Sequence, residues 1–539
     1  MADVPTKPRW SLPYETVGIG DPAKARPARA ARIAAYSLLA VAMIVPVVQF
    51  QHVTRSNQRK QAAFELQHGD APPEGAQAPK ASKGAIGRWR KAVMDFWQGE
   101  NIYLDSETVE AQAAAGGQRY GPVRAATWLH PNMPFTVMLL SPFAFVPTGT
   151  MAIVYNILKL AAVAASVLML VSVMNHRRLR MADWVVGLAL LGSVLFIVGD
   201  IQHGNTNVFV LFFIVLHLWL FRRGRDGLGG AALAMAVCIK MTPAIFLLYW
   251  LYQRNWKLLG GAAAMLALAM VVLPLAASIG IVGGDVQSGC DHYATITRTW
   301  LDNLIVPGLV KGAWYPIHIN QSLSGVVSRY FLDGPGGDIF WNPDDNPYSR
   351  QAKHGWITVV PIGEQAAKTI LRLLQLAIVA AMALAIGWRK LPRDDGRRGL
   401  HYALVAIGMM LLNQRTWDHH ATVMLVAAMG VWYAIAFGNV SARARKWALG
   451  LALASGVLVW STGNSAFELA ARLSGRSGRT GELWADWFDA YGPTFWHFML
   501  MLLAAMVLAV SMKCRSEPFM SVRQPLGKES PLEPLESSA

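Results

Sequence analysis

The chain has 539 residues, 54% of them hydrophobic and only 15% charged, with a mean hydropathy of +0.31. These values exclude a disordered chain, a collagen-like repeat and a small disulfide scaffold. The net charge of +16 does not indicate a soluble nucleic-acid binder, because the basic residues flank apolar segments and form no single stripe. What remains is a chain that crosses a bilayer many times.

The first 29 residues are polar and rich in Pro and Arg, and they form a cytoplasmic tail (1–30) in this reading. The apolar run Ile33–Phe50 reads as a retained first span, because it lacks the features of a cleaved signal. A bilayer core takes roughly 20 apolar residues of helix. On that rule spans are predicted at 31–50, 149–173, 183–199, 206–221, 258–282, 366–388, 400–412, 420–438, 446–462 and 491–512. The segment 134–147 is apolar but short and holds three prolines, so a surface-lying or re-entrant piece is expected. Residues 513–539 form a second cytoplasmic tail. Cys238, Cys290 and Cys514 fall in an apolar segment, a polar loop and this tail, so neither a disulfide nor a zinc site is expected.

The segment 228–253 carries Lys240 and Pro243 near its middle. Short loops rich in Lys and Arg stay cytoplasmic. The basic loops are His176–Arg180, Arg222–Arg225, Arg254–Lys257, Arg389–Arg398 and Arg443–Lys446. A single crossing by 228–253 would put them on both sides. A hairpin of two half-helices, turning at Ile239–Pro243, keeps all five inside, with both termini cytoplasmic. Irregular backbone at that depth needs cover from protein or a wet cavity. Three long loops, 51–133, 283–365 and 463–490, then face outside, as expected of an enzyme with its site at the outer surface. In the first loop, Trp89–Trp97 reads as an interfacial amphipathic helix. Trp89, Val93, Phe96 and Trp97 point toward lipid, and Arg88, Arg90 and Lys91 point away.

Several polar residues need an explanation. An unpaired ammonium in an apolar stretch is costly, so Lys240 faces either a structural partner or an anion. The 199–207 turn carries Asp200, Gln202, His203, Asn205 and Asn207 just before a helix, whose N-terminus suits an anion. One Asn would suffice for a cap. The 413–420 turn carries Arg415, Asp418, His419 and His420. Adjacent histidines diverge on a helix, so a phosphate-facing role ranks above a metal site. The stretch His318–Arg329 begins a short amphipathic helix after Asn320.

Six ordered blocks together resemble glycosyltransferase family 87, polytopic GT-C enzymes. They are Gly99-Glu-Asn-Ile-Tyr103, Trp128-Leu-His130-Pro-Asn-Met-Pro134, Gly204-Asn-Thr-Asn207, Ile239-Lys-Met-Thr-Pro243, Asn320-Gln-Ser-Leu323 followed by Arg329, and Trp417-Asp-His-His420. The resemblance covers roughly residues 84–430 and neither terminus. It implies an all-α polytopic membrane protein, a GT-C-like bundle over 31–512 of about ten to twelve transmembrane helices including a broken or re-entrant pair. It also implies an inverting transfer of a sugar, mannose first, from a polyprenyl-phosphate donor to an acceptor hydroxyl at the outer face of a bacterial plasma membrane. The partners implied are the bilayer, the donor and a glycolipid or glycan acceptor, with no nucleic acid.

Such a site needs a carboxylate base and cations or helix ends for the departing phosphate. Lys240, Arg415, His419 and His420 are the phosphate candidates. Asp200, Gln202, Asn205, Asn207, His130, Asn320 and Arg329 complete the expected substrate pocket. No metal or cofactor is required, since the cations are side chains. The resemblance places the base about 14 residues before Gly99, where a gap-free count finds Ala85. Asp95 and Glu100 are then the nearest substitutes, with Asp105 close and Asp70 more distant, although exposed loop charges would look the same. Asp418 or Asp200 are the alternatives. A carrier for a lipid-linked anion, with Lys240 in a broken helix, is a rival reading. A non-catalytic family relative is another, motivated by Ala85.

Overall fold

The structure is a computed structural model that describes residues 25–68, 84–103, 132–174 and 183–513, apart from 303–304, 307–311, 313, 316–317, 333–356, 394 and 439. The described residues are mostly helical and contain no strand. In chain order the helices are α1 (Ala25–His68), α2 (Ile86–Trp97), α3 (Pro134–Ala144), α4 (Thr148–Met174), α5 (Asp183–Leu191), α6 (Val194–His203), α7 (Asn207–Arg222), α8 (Asp226–Ile239) and α9 (Ala244–Tyr252). Then come α10 (Trp256–Ala267), α11 (Leu273–Ile281), α12 (Val286–Trp300), α13 (Leu323–Phe331), α14 (Glu364–Ile386) and α15 (Arg397–Leu411). A 3-10 turn, Asp418–Val423, leads into α16 (Met424–Phe437), followed by α17 (Ala442–Ser461), α18 (Asn464–Leu473), α19 (Gly478–Asp489) and α20 (Pro493–Lys513).

Among the described residues, five helical stretches are each long and apolar enough to cross a bilayer: Thr148–Met174, Trp256–Ile281, Glu364–Ile386, Asp418–Phe437 and Pro493–Met512. The pair α5–α6, bent by 49°, makes a sixth. The stretch Trp256–Ile281 is continuous because a π-helical turn, Leu268–Val272, bridges α10 and α11 ahead of Pro274. Such a turn absorbs the register change where a proline supplies no N–H. These features make the chain a polytopic all-α membrane protein, as the apolar runs predict. Cys238 is buried and Cys290 half-buried, both as free thiols.

Two features differ from the sequence expectation. Helix α1 does not stop at Phe50 but continues to His68. Its 44 residues make about 66 Å of helix, twice a bilayer core. The extension Gln51–His68 is rich in Gln, Arg, Lys, Ala and Glu, which hold a helix without an apolar stripe. Helix α2 is amphipathic, but Trp89, Val93 and Phe96 are buried in protein and only Trp97 is exposed. Its apolar face packs on α3 and α4 rather than on lipid.

The segment 226–252 is re-entrant. Asp226, at the start of α8, pairs with Arg393. Beyond the end of α9, the side chain of Gln253 accepts from Leu391 N at 3.4 Å. Both feet therefore rest on the 391–393 loop, while Lys240 at the apex meets Asn207. Helix α8 has 14 residues, about 21 Å, too short to cross. It packs tightly on α10 through glycines: a Cβ on Gly230 would lie 1.9 Å from Leu258 O, and one on Gly261 2.1 Å from Gly227 O. Small residues let helix backbones approach in this way. The basic stretches 222–226, 253–257 and 389–398 thus gather at one end of the bundle. The turns 203–206, 240–243, 314–322 and 413–420 gather at the other.

Candidate active site

The site begins with an ion pair in the bundle interior. Lys159 of α4 and Asp200 of α6 meet at 2.8 Å, both at 0% exposure. Lys159 Nζ also donates to the Asp200 carbonyl at 2.8 Å. The carboxylate in turn accepts from Asn207 N at 3.2 Å, Asn207 Nδ2 at 2.8 Å and Val208 N at 3.4 Å. Asp200 therefore occupies the N-terminus of α7 itself, and the anion expected at that helix end is part of the protein. Asn207, with its Nδ2 held this way, offers Oδ1 to Lys240 Nζ at 2.8 Å. Its carbonyl accepts from Thr422 Oγ1 of the 3-10 turn at 3.0 Å. A relay Lys159–Asp200–Asn207–Lys240 thus fixes the cation at the hairpin apex.

The turn 203–205 is pinned by α2 and α4. His203 O accepts from Ala85 N at 2.8 Å and Gly204 O from Trp89 Nε1 at 3.2 Å. Asn205 O accepts from Tyr155 OH at 2.9 Å. Gly84 (φ +64) permits this approach, since a Cβ there would lie 2.3 Å from His203 O. Asn205 Oδ1 accepts from Thr206 N at 2.8 Å, so its Nδ2 is the group facing His419 Nε2 at 3.1 Å. That assignment makes Nε2 an acceptor and puts the ring proton of neutral His419 on Nδ1. His203 stacks on His419 at 4.3 Å. Gln202 is half-buried beside this turn.

The 413–420 turn supplies the rest. His420 Nδ1 accepts from Trp417 N at 3.2 Å, and the two rings stack 5.7 Å apart, only 9° from parallel. Its Nε2–H then faces away from that bond. The His419 and His420 rings meet edge to face at 4.6 Å, so the 3-10 backbone keeps them together. Both lie within electrostatic reach of Lys240 and Arg415. Arg415 lies over the rings of Tyr315 (5.1 Å) and Trp417 (5.3 Å). Burial pushes the Tyr315 phenol up to about 12, against the pull of Arg415. Arg88 of α2 adds a further positive charge near Arg415, and its own pKa is lowered by desolvation and then by that neighbour.

Two acids lie where this turn meets the end of α19 and the start of α20. Asp418 opens the 3-10 turn, is exposed, and is hydrogen-bonded by Thr494 at the start of α20. Asp489, at the end of α19, is close enough to feel Asp418 and Asp486. Its carboxyl is held well above the usual carboxylate range, by burial first and then by Asp418 and Asp486, against Arg329. The segment around it is bolted to α13. Gln321 Nε2 donates to Asp489 O (2.9 Å), Arg329 Nε to Ala490 O (2.8 Å) and Tyr330 OH to Tyr491 O (3.0 Å).

The sequence candidates divide accordingly. Lys240, Arg415, His419, His420, Asn205 and Asn207 are brought together, Asp200 stands behind them, and Asp418 opens the same turn with its carboxylate hydrogen-bonded by Thr494. Asn320 and Arg329 clamp the loops. Asn320 Nδ2 donates to Tyr315 O (2.8 Å) and Gln414 O (3.1 Å), and Oδ1 accepts from Thr416 N (2.9 Å) and Ser322 N (3.2 Å). Arg329 is fully buried and donates to Asn320 O at 2.8 Å; burial lowers its guanidinium to about 10. Asp95 and Glu100 lie apart from the cluster. Ala85 touches His203, but Asp95 is ten residues along α2, about 15 Å away. Asp95 pairs with Lys91 at 2.9 Å, and Glu100 is exposed beyond the helix. His130, Asp70 and Asp105 lie outside the described residues. Lys159, Asp489 and Arg88 are additions that the sequence reading passed over. A lysine inside the apolar run of α4 was the available signal for the first.

A polytopic helical bundle with cations, paired histidines and a carboxylate converging at one end defines a membrane enzyme of group transfer. The sequence profile described as glycosyltransferase family 87 matches residues 128–413, just over half of the chain, and the chain belongs to that family of membrane glycosyltransferases. The matched stretch includes Lys159, Asp200, Asn207, Lys240, Asn320 and Arg329 and stops before Asp418. No curated protein and no solved structure matches the chain.

Proposed function

We propose that the protein moves a sugar, mannose first, from a polyprenyl-phosphate donor to an acceptor hydroxyl at the outer face of a bacterial plasma membrane, with inversion. The observation that carries this reading is the convergence of Lys240, Arg415, His419 and His420 at the 413–420 turn, which Asp418 shares. In the reaction the acceptor oxygen attacks the anomeric carbon while its proton passes to the Asp418 carboxylate. The bond from that carbon to the phosphate oxygen breaks, and the electron pair leaves on the polyprenyl phosphate. Lys240, Arg415 and the Nε2–H of His420 stabilise the phosphate as its charge grows. Asn205 holds His419 in one tautomer, and Asn207 holds Lys240. Asp418 is preferred as base over Asp95 and Glu100 because it shares the turn that carries His419 and His420, and Ala85 at the neighbouring position carries no acid. The sidedness is supported by the basic loops 222–226, 253–257 and 389–398, which gather at the end away from this site and suit the cytoplasm, while His176–Arg180 lies outside the described residues.

Membranes containing the wild type, Lys240→Ala or Asp418→Asn are incubated with radiolabelled polyprenyl-phosphate mannose and extracted lipids. A labelled product from the wild type, strongly reduced in both variants, is the expected result. Uptake of label into proteoliposomes with no covalent product would instead support a carrier. No product with any lipid-linked sugar would indicate a non-catalytic relative.

A further inference from the structure

The α18–α19 hairpin takes no part in the chemistry just described, yet its surface is unusual. The two helices meet through small residues. A Cβ on Gly481 would lie 2.5 Å from Glu468 Cα, Ala471 and Ala485 are at 0% exposure, and Phe467 and Phe488 touch at 5.6 Å. The large apolar side chains point away from this seam. Leu469 and Leu473 are 58% and 80% exposed on α18, and Leu483 and Trp487 are 51% and 53% exposed on α19. Each pair is spaced i, i+4, so each helix carries an outward apolar stripe, continued by Ala470 and Trp484. Arg472 and Glu482, also exposed, each lie roughly 100° round from the neighbouring stripe residue, on the hydrophilic side.

The position of the hairpin identifies what covers the stripes. Only three residues, 490–492, separate it from the membrane span α20, and only two, 462–463, from α17, which packs along α20. Both ends are therefore held at the level where the spans leave the bilayer. A two-sided helix pair at that level belongs in the interface, with its apolar stripes among the lipid.

We propose that α18–α19 is a membrane-surface element whose Leu469, Leu473, Leu483 and Trp487 rest in the bilayer leaflet at the site end. Its far end carries Asp489, bolted to α13 beside Asp418. The hairpin thus sets the height of these two acids relative to the lipid head groups, where a lipid-borne reactant presents its polar end. The placement stands on the bundle's membrane spans and not on the transfer reaction.

The test uses the full chain in liposomes. Cys238, Cys290 and Cys514 are changed to Ala, and one cysteine is introduced at a time: Leu473→Cys, Leu483→Cys, Arg472→Cys or Glu482→Cys. Each is labelled with an environment-sensitive fluorophore and quenched by brominated phosphatidylcholine or by aqueous iodide. Quenching by brominated lipid at 473 and 483 should exceed that at 472 and 482 by at least about twofold, with the order reversed for iodide. Equal quenching at all four positions overturns the proposal. Labels at 473 and 483 shielded from both quenchers also overturn it, and point to a second copy or another protein on the stripe. Because the readout is depth, it is separate from any failure of the sugar-transfer reading.

Discussion

Lys159 and Asp200, 41 residues apart and both closed to solvent, form a 2.8 Å ion pair that is the root of the candidate site. The carboxylate in turn orders Asn207, and Asn207 orders Lys240. Removing one member of a buried pair leaves an uncompensated charge, which costs about 3–5 kcal/mol. Lys159→Met should therefore lower thermal stability in detergent sharply and reduce transfer. The double variant Lys159→Met/Asp200→Asn should recover part of the stability, because no lone charge remains. Denaturation of the three proteins in parallel checks this.

Asn205→Ala should leave the fold in place and damage the chemistry. It removes the donor to His419 Nε2 and frees the ring to change tautomer. Loss of one hydrogen bond to a buried partner is worth about 1–3 kcal/mol, so a fall of roughly tenfold or more in kcat/KM is expected. Activity equal to the wild type would remove His419 from the mechanism.

Arg415→Lys should not behave as a conservative change. The guanidinium plane over Tyr315 and Trp417 is replaced by a compact ammonium that cannot stack. The expected outcome is a raised KM for the donor with a smaller effect on kcat. Initial rates at varied donor concentration give the split.

Gly84→Ala should undock the first loop. The residue has φ +64, and the new Cβ would meet His203 O at 2.3 Å. The backbone strain is of order 1–3 kcal/mol, with the clash in addition. Limited proteolysis between α2 and α3 should accelerate, and transfer should fall with it.

The pH dependence of stability carries a sign. Asp489 is held above its ordinary value in the folded protein by burial and by Asp418 and Asp486. The folded state therefore binds a proton that the unfolded chain has released, and stability falls as pH rises from the ordinary carboxylate range toward the raised value. Asp489→Asn should flatten that fall and raise the melting temperature at neutral pH relative to the wild type. Melting curves across the acidic-to-neutral range, read for both proteins, test it.

Six of the ten predicted spans and the two polar turns were legible because hydropathy and clustering are local properties. That Lys240 meets Asn207 was not, since the partner lies 33 residues away across a helix break. Lys159 carried the same signal as Lys240, a cation within an apolar run, and its significance emerges only with Asp200 opposite. The amphipathic pattern of α2 was correct, but periodicity does not say whether an apolar face meets lipid or protein. Asp489 resembled any charge on a polar loop until the fold set it beside Asp418. Asn320 and Arg329 belong to a family-like block, and they serve it by holding backbone carbonyls.

The re-entrant hairpin α8–α9 has a mechanical consequence. It enters and leaves at the basic end of the bundle and carries Lys240 at its tip, so it works as a strut footed on one side of the bilayer and loaded near the other. The Asp226–Arg393 joint at its foot lies about 21 Å of helix from the ammonium. The glycine seam with α10 leaves little slack along that length. Displacements at the basic end of the bundle thereby have a rigid route to the Lys240 ammonium, and the two ends of the bundle are not mechanically independent in this protein.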